Sequence, residues 1–420
     1  MPFDLNAPAF YDPQEMTKEL ERVYDICNGC RRCFHLCPSF DHLFERLDAH
    51  DGEATHLTAP EHRRVVDLCY ECQLCYNHCP YTPPHRFDID FPHLMLRAKL
   101  AQAKEQGVKW QDRLLGDTDR LGKLAAPAAP LVNFANGNRV NRLLLGFALG
   151  VHPDRNLPTF QRQTFRQWAK QWQKGQRGTS TAPAGKAALF YTCFVNYNGP
   201  EIGRAAVNVL EKNNVQVAIP EQQCCGMPFL DAKDLPACQK KARFNLQRLA
   251  EAVNDGYEVV VPGPTCSLML KHEYPMLAGS EEARLVSQHT FDISEYLMRL
   301  HGQGKLDTGF KASQGRIAYH LPCHLKAQNI GYKSRDLMGL IPGTQVTLLE
   351  HCSGHDGTWS MKKEYFELSL QVGKKLFDGI RSAEPDLVAT DCPLAALQIE
   401  KGTGKKPLHP IQVVQRAYGS

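Results

Sequence analysis

Two copies of one cysteine spacing constrain this chain more than any other feature. Cys27-x2-Cys30-x2-Cys33-x3-Cys37-Pro38 is followed by Cys69-x2-Cys72-x2-Cys75-x3-Cys79-Pro80. In such a run the first three thiolates wrap three irons of a cubane from one tight loop. The fourth, projected away by the following proline, caps the other cluster. The spacing therefore predicts one [4Fe–4S] cluster on Cys27, Cys30, Cys33 and Cys79, and a second on Cys69, Cys72, Cys75 and Cys37. Zinc is the competing reading, but four-cysteine zinc sites use two CxxC pairs rather than this run ending in Cys-Pro. No CxxCH is present, so nothing points to a covalently attached haem. A thiolate cage of this kind holds a one-electron carrier, whose potential is set by N–H donors and burial. Phe34, Phe40, Tyr70, Tyr76 and Tyr81 flank the cysteines. They are expected either to keep water from the clusters or simply to fill a core.

The chain has 420 residues and 16 cysteines. A secreted disulfide scaffold would crowd its cysteines into a short chain, and the opening MPFDLNAPAFYDPQEM has no signal-peptide pattern. Reduced, metal-binding thiols in the cytoplasm are the expectation. With 43% hydrophobic and 22% charged residues, the composition excludes wholesale disorder, a collagen-like fibre and a polytopic membrane protein. A formal charge of +4 is too small to argue for nucleic acid. Two clusters at about −2 each, thiolates included, would bring the loaded protein near neutrality. The longest apolar run, Leu143 to Val151, falls well short of a bilayer span. It reads as a packing helix, with a membrane-surface or partner-docking helix as the alternative. Membrane association is thus at most peripheral, at the inner face.

Four segments follow from the patterning. Residues 1–110 hold eight cysteines between helical patterns at Glu15–Ile26 and Asp90–Gly107. Residues 111–185 form a helical connector, with a helix-like stretch at 164–174 and a flexible boundary at 175–186. From Lys186 onward short apolar runs alternate with amphipathic stretches, which argues for α/β packing around parallel strands. That part divides at about residue 310 into two repeats, 186–310 and 311–420.

Cysteine spacing supports the duplication. Cys193 precedes Cys224-Cys225-Gly226 by 31 positions, and Cys323 precedes Cys352-Ser353-Gly354 by 29. A CxxC pair then follows in outline, reduced to Gly263…Cys266 in the first half and Cys392…Ala395 in the second. Cys238 lies outside the frame and reads as a packing residue. Lys362, Lys363, Lys405 and Lys406 read as solvated faces, with docking to an acidic partner as the minority alternative. No strand–GxGxxG–helix and no Walker loop occurs, so no FAD, NAD or nucleotide site of its own is expected.

The first block resembles the two-cluster ferredoxins, in the α-helical form found in iron–sulfur subunits of respiratory dehydrogenases. The second resembles the duplicated CCG domain of heterodisulfide reductases and of the iron–sulfur subunits of anaerobic glycerol-3-phosphate dehydrogenases and glycolate oxidases. The residues that carry it are YTCFVNYN (191–198), CCGMP (224–228), PTCSLMLKHEYP (264–275), YHLPCH (319–324), CSGHDGTWSMKKEYF (352–366) and TDCPLAALQIEKG (390–402). The resemblance implies an α-helical ferredoxin domain joined to an α/β domain of two CCG repeats. A complete CCG motif offers five thiolates. Here the first repeat keeps four, Cys193, Cys224, Cys225 and Cys266, enough for a third iron–sulfur cluster. The second keeps Cys323, Cys352 and Cys392 beside His320, His324, His351 and His355. That half is either a degenerate site completed by histidine or open iron, or a half retained for structure; one site shared between the halves is a further alternative.

The function implied is an electron-transfer subunit of an oxidoreductase. Electrons would pass between a partner, a flavoprotein dehydrogenase by expectation, and a quinone or a thiol/disulfide acceptor, since the chain has a wire but no site for hydride chemistry. The alternatives are a reductase that cleaves a heterodisulfide or persulfide at its own CCG site, and a redox or metal sensor without turnover. Substrate, acceptor and direction of flow are not written in these residues.

Overall fold

The computed structural model describes residues 4–175 and 183–419, so most of the flexible boundary expected at 175–186 lies outside the described residues. The N-terminal block is helical: α1 (Pro13–Cys30), α2 (Pro38–Ala49), α3 (Ala59–Leu68), α4 (Leu74–His78) and α5 (Phe91–Gln106). Asp12 starts α1 by accepting from the Gln14 and Glu15 amides, and Met16, Leu20, Val23 and Tyr24 turn its apolar face inward. The helix ends at Arg31, whose φ of 49° is left-handed. It therefore outruns the expected Glu15–Ile26 and carries Cys27 and Cys30 on its last turn, not on a loop. The α5 helix matches its expected limits, with Asp90 as cap and Gly107 beyond its end. Leu43, Phe44, Leu47, Val65 and Met95, all fully buried, hold these helices together.

The connector forms α6 (Trp110–Gly116), α7 (Thr118–Ala125), α8 (Ala129–Gly137), α9 (Arg139–Leu149) and α10 (Phe165–Gly175). The last confirms the helix expected at 164–174 and buries Phe165 and Ala169. The packing-helix reading of Leu143–Val151 is overturned. Leu143, Leu144 and Phe147 of α9 are exposed, whereas its buried residues are Arg142 and Gly146. Hydrogen bonds decide the rotation: the Arg142 guanidinium donates to the carbonyls of His152, Pro153 and Arg155. A Cβ on Gly146 would lie 2.9 Å from Lys363 Cε and 3.0 Å from the Val151 carbonyl oxygen. Nor is Lys362 a free surface cation, since it pairs with Asp112 at 3.1 Å; Lys363, Lys405 and Lys406 are exposed.

The C-terminal part contains two small parallel sheets. Strands β1 (Gly185–Leu189), β2 (Val215–Ala218), β3 (Glu258–Val261) and β4 (Thr290–Asp292) run in the order β2-β1-β3-β4. Strands β5 (Arg316–His320), β6 (Gln345–Leu349) and β7 (Leu387–Thr390) run β6-β5-β7. The shared order β2-β1-β3 and β6-β5-β7, parallel throughout, is the duplication in three dimensions. Only β4 lacks a counterpart and an apolar signature in the sequence. In both repeats the cysteines follow the strands: Cys193, Cys224 and Cys266 lie beyond the carboxyl ends of β1, β2 and β3, and Cys323, Cys352 and Cys392 beyond those of β5, β6 and β7. Ligands of open α/β sheets collect at that edge.

Candidate metal centres

In the N-terminal block the loops turn tightly enough to use left-handed residues other than glycine. Arg31 and Gln73, each directly after the second cysteine of its run, have φ of 49° and 60°, and His35 and Glu71 add 62° and 54°. Such conformations cost about 1 kcal/mol or more apiece and persist where surroundings over-determine them. The result draws Cys27, Cys30, Cys33 and Cys79 together: burial pushes the Cys27 thiol up, and charge on the other three adds to it. Cys33 is pushed to about 12 by burial and then by Cys79, Cys37 and Cys30. The second group also assembles. Cys75 is raised by burial and then by Cys69, Cys37 and Cys33.

Backbone amides are aimed at the sulfurs. Cys37 caps the N-terminus of α2 directly before Pro38, and the amides of Phe40 and Ser39 favour its thiolate; burial still holds it at about 11. The Tyr81 amide donates to Cys79 Sγ at 3.4 Å. Among the aromatic neighbours, Phe40 and Tyr70 are buried as expected, but Phe34 is 47% exposed and shields nothing.

Cys193, Cys224, Cys225 and Cys266 of the first repeat form a second kind of group. Cys266 Sγ lies 3.3 Å from Cys225 Sγ, and hydrogen bonds run from Cys193 and Cys225 to Cys224. Cys224 is therefore the thiolate of the group, favoured first by Cys193, then by Cys225, and also by the Thr118 hydroxyl and the Gly226 amide. Gly226 (φ 95°) must be glycine, because a Cβ there would sit 2.9 Å from Cys238 Sγ. Cys238 is itself fully buried beneath it, and burial raises its thiol. At Gly263, where the fifth thiolate of a complete motif would stand, a Cβ would approach Thr192 Cγ2 to 3.0 Å. Thr192 precedes Cys193 with φ 62°, a strained value for a β-branched residue. The connector closes this group in a way the sequence did not signal. Asp119 on α7 accepts from the Cys224 amide at 2.9 Å and from Lys241 Nζ at 2.7 Å. A cavity of about 140 Å³, lined by Arg166, Tyr191 and Tyr197 among others, reaches Cys193 and Cys224.

Cys323, Cys352 and Cys392 also meet, since burial and then the charges of Asp356, Cys352 and Cys392 raise the Cys323 thiol. Cys392 caps the helix Pro393–Thr403, and the Gly354 amide donates to Cys352 Sγ at 3.3 Å. Two of the four histidines are committed elsewhere. His324 uses both ring nitrogens, on Thr265 Oγ1 at 2.9 Å and on the Glu71 carbonyl at 3.0 Å. His320 bonds Thr390 Oγ1 at 2.9 Å. His355 is buried, and His351 is exposed beside Cys352. The three cysteines face the N-terminal block: charge on Cys323 and Cys352 bears on Cys72 after burial, and the Tyr70 hydroxyl lies 3.5 Å from Cys352 Sγ. An open groove of about 750 Å³ between these parts is lined by Cys37, Cys352, His35 and His351.

The donor sets fit iron–sulfur clusters on their own chemistry. Four buried thiols that raise one another need a cationic core before they can ionise together. Among the described residues no three His, Cys, Asp or Glu are drawn together for a single ion; a cubane takes one thiolate per iron, so its ligands need not converge on a point.

Residues 20–105 match the Citrate utilization protein B Fer4-like domain, and residues 187–271 and 317–400 each match the Cysteine-rich domain family CCG. The iron–sulfur subunit of the anaerobic glycerol-3-phosphate dehydrogenase of Escherichia coli K12 is 32% identical over 307 residues, covering 72% of this chain and 76% of that protein. The chain belongs to the family of that dehydrogenase subunit. Members of the wider group are similar over shorter spans. A subunit of the fumarate reductase (CoM/CoB) of Methanothermobacter marburgensis is 29% identical over 55% of this chain and 45% of its own length. Lactate utilization protein A of Geobacillus kaustophilus is 30% identical over 49% and 87% respectively. A chain of this family with a Fer4-like block and two CCG domains is an iron–sulfur protein of oxidoreductase type. No described helix is long and apolar enough to cross a membrane.

Proposed function

We propose that this chain is the iron–sulfur electron-transfer subunit of an oxidoreductase, built from segments 1–110, 111–185, 186–310 and 311–420. One [4Fe–4S] cluster would be held by Cys27, Cys30, Cys33 and Cys79, a second by Cys69, Cys72, Cys75 and Cys37, and a third iron–sulfur cluster by Cys193, Cys224, Cys225 and Cys266. Cys323, Cys352 and Cys392 form a degenerate site. When bound, such clusters supply one-electron storage; the protein supplies burial, N–H donors and spacing. The reading rests on one observation above others: the Tyr70 hydroxyl, inside the second cysteine run, is 3.5 Å from Cys352 of the second CCG repeat. That contact makes a continuous path from the N-terminal thiols to the C-terminal ones. At one end a flavoprotein dehydrogenase would deliver electrons, in line with the dehydrogenase and reductase subunits among the relatives. At the other a quinone or a thiol/disulfide compound would accept them. The protein would work in the cytoplasm, peripherally at the inner face of the membrane.

Iron and sulfide counting on anaerobically purified protein, with EPR of the reduced form, tests this. About eight irons are expected from the N-terminal cysteines alone, and clearly more if the first repeat is loaded. A colourless protein carrying zinc overturns the proposal. The small cavity reaching Cys193 and Cys224 supports a second reading, reductive cleavage of a small disulfide there. It requires that a heterodisulfide or persulfide alter the C-terminal EPR signal, and an unchanged signal rejects it.

A further inference from the structure

The outward face of the connector is built opposite to a core helix. On α9, Val140, Leu143, Leu144 and Phe147 are 64, 54, 61 and 90% exposed, a stripe at i, i+3, i+4 and i+7 that faces solvent. Leu131 and Phe134 of α8, at 74 and 76%, and Leu124 of α7, at 69%, extend it. The inward face is fixed by the Arg142 hydrogen bonds and by the close approach of Gly146 to Lys363. The segment after α9 is clamped to the second repeat, with the His152 amide donating to the Met361 carbonyl and the Lys363 amide to that of Gly150. The helix therefore cannot roll its apolar stripe inward without breaking these contacts. A soluble monomer rarely leaves so many large apolar side chains together in water.

Charge identifies what covers them. From Arg120 to Pro153 the sequence contains no aspartate or glutamate, while Arg120, Lys123 and Arg139 are exposed on the same three helices. An apolar stripe flanked only by cations matches a bilayer surface of anionic lipid: acyl chains for the leucines and phenylalanines, headgroup phosphates for the arginines and lysine. We propose that α7–α9 form an interfacial lipid-binding face on which the protein lies, with Leu144 and Phe147 inserted below the headgroups. This deepens the peripheral placement proposed above and does not depend on the identity of the electron acceptor.

The test uses the full-length, cluster-loaded protein, purified anaerobically. Sedimentation is measured with vesicles of phosphatidylethanolamine and phosphatidylglycerol, and with vesicles of phosphatidylcholine alone. The wild type is expected to sediment with the anionic vesicles in a salt-sensitive manner. The double variant L144E/F147E should partition at least roughly tenfold more weakly, and R120Q/K123Q/R139Q should lose the preference for anionic lipid. Iron content and visible absorbance should be unchanged in both variants, which separates failure of this face from failure of the electron-carrier reading. Wild-type protein left in the supernatant overturns the proposal, as does a double variant that sediments normally. So does a wild-type dimer that L144E/F147E converts to a monomer, because a second copy would then cover the face.

Discussion

Lys99 and Glu71 form an ion pair of 2.7 Å directly behind the second cysteine run, both nearly buried, with Lys99 also donating to the Cys69 carbonyl. Burial works against the Lys99 charge, yet Glu71 and Cys69 outweigh it and lift its pKa above the ordinary lysine value. Lys99→Met removes the cation and leaves the Glu71 carboxylate buried among thiolates that carry the same sign. Breaking a buried pair from one side costs about 3–5 kcal/mol, or some two to three orders of magnitude in the equilibrium for opening that loop. An exposed pair gives the contrast: Lys374–Asp378, on a solvated helix face, is worth about 0.3–0.5 kcal/mol. The assay is anaerobic urea denaturation followed by cluster absorbance, together with the rate of iron loss to a chelator. K99M should lose cluster at much lower urea than K374M, and adding Glu71→Gln to K99M should recover at least half the loss by removing the unpaired charge. Because a raised lysine pKa stabilises fully below the unfolded value of about 10.4 and fades only above it, the effect should be constant from about pH 6 to 9. Equal behaviour of K99M and K374M, or no rescue by E71Q, would refute the argument.

His320, His355 and His409 are each held at about 3 by burial. Their folded pKa lies below the ordinary 6.5, so each contributes stability above pH 6.5 that is lost as pH falls from there toward 3. The three together should cost about 4 kcal/mol between pH 7.5 and 5.5, read as a drop in melting temperature; an unchanged melting temperature over that interval excludes it. Gly354→Ala places a Cβ 1.9 Å from the Ser369 carbonyl oxygen at φ 71° and should leave the protein largely insoluble. Gly137→Ala, with open space around it, should be soluble and loaded with iron, and similar yields for the two would count against the close-packed role of the CSG glycine.

What was legible in the sequence was what local chemistry fixes. The spacing of Cys27 to Cys37 and Cys69 to Cys79 predicted the groups that assemble, and the apolar runs at β1, β2, β3, β5, β6 and β7 gave six strands and their parallel pairing. Three features escaped. The β4 strand is only three residues long, and Phe291 is the one large apolar side chain in it. The rotation of α9 turned on Arg142, a residue whose three backbone acceptors lie 10–13 positions away; hydropathy assigned its leucines to the interior because it cannot see where a guanidinium finds carbonyls. Asp119 and Tyr70 joined the centres through contacts across 105 and 282 positions, which no periodicity encodes.

Two opposing effects meet at every cysteine beyond a strand end or before a helix. Cys37 and Cys392 each cap a helix, and two amides of the first turn favour the thiolate of each; both are nevertheless held at about 11. Burial therefore exceeds what two amide donors and a helix terminus return. A catalytic thiol evolved for nucleophilic attack would show the reverse balance, an amide-rich and partly open site with a lowered pKa. Here the amides are too few to ionise a thiol alone but well placed to accept charge from a sulfur already bound to a cation. The same balance at Cys37 in the first block and Cys392 in the second repeat, on unrelated folds, favours metal-held sulfur over free thiol chemistry at both ends of the chain.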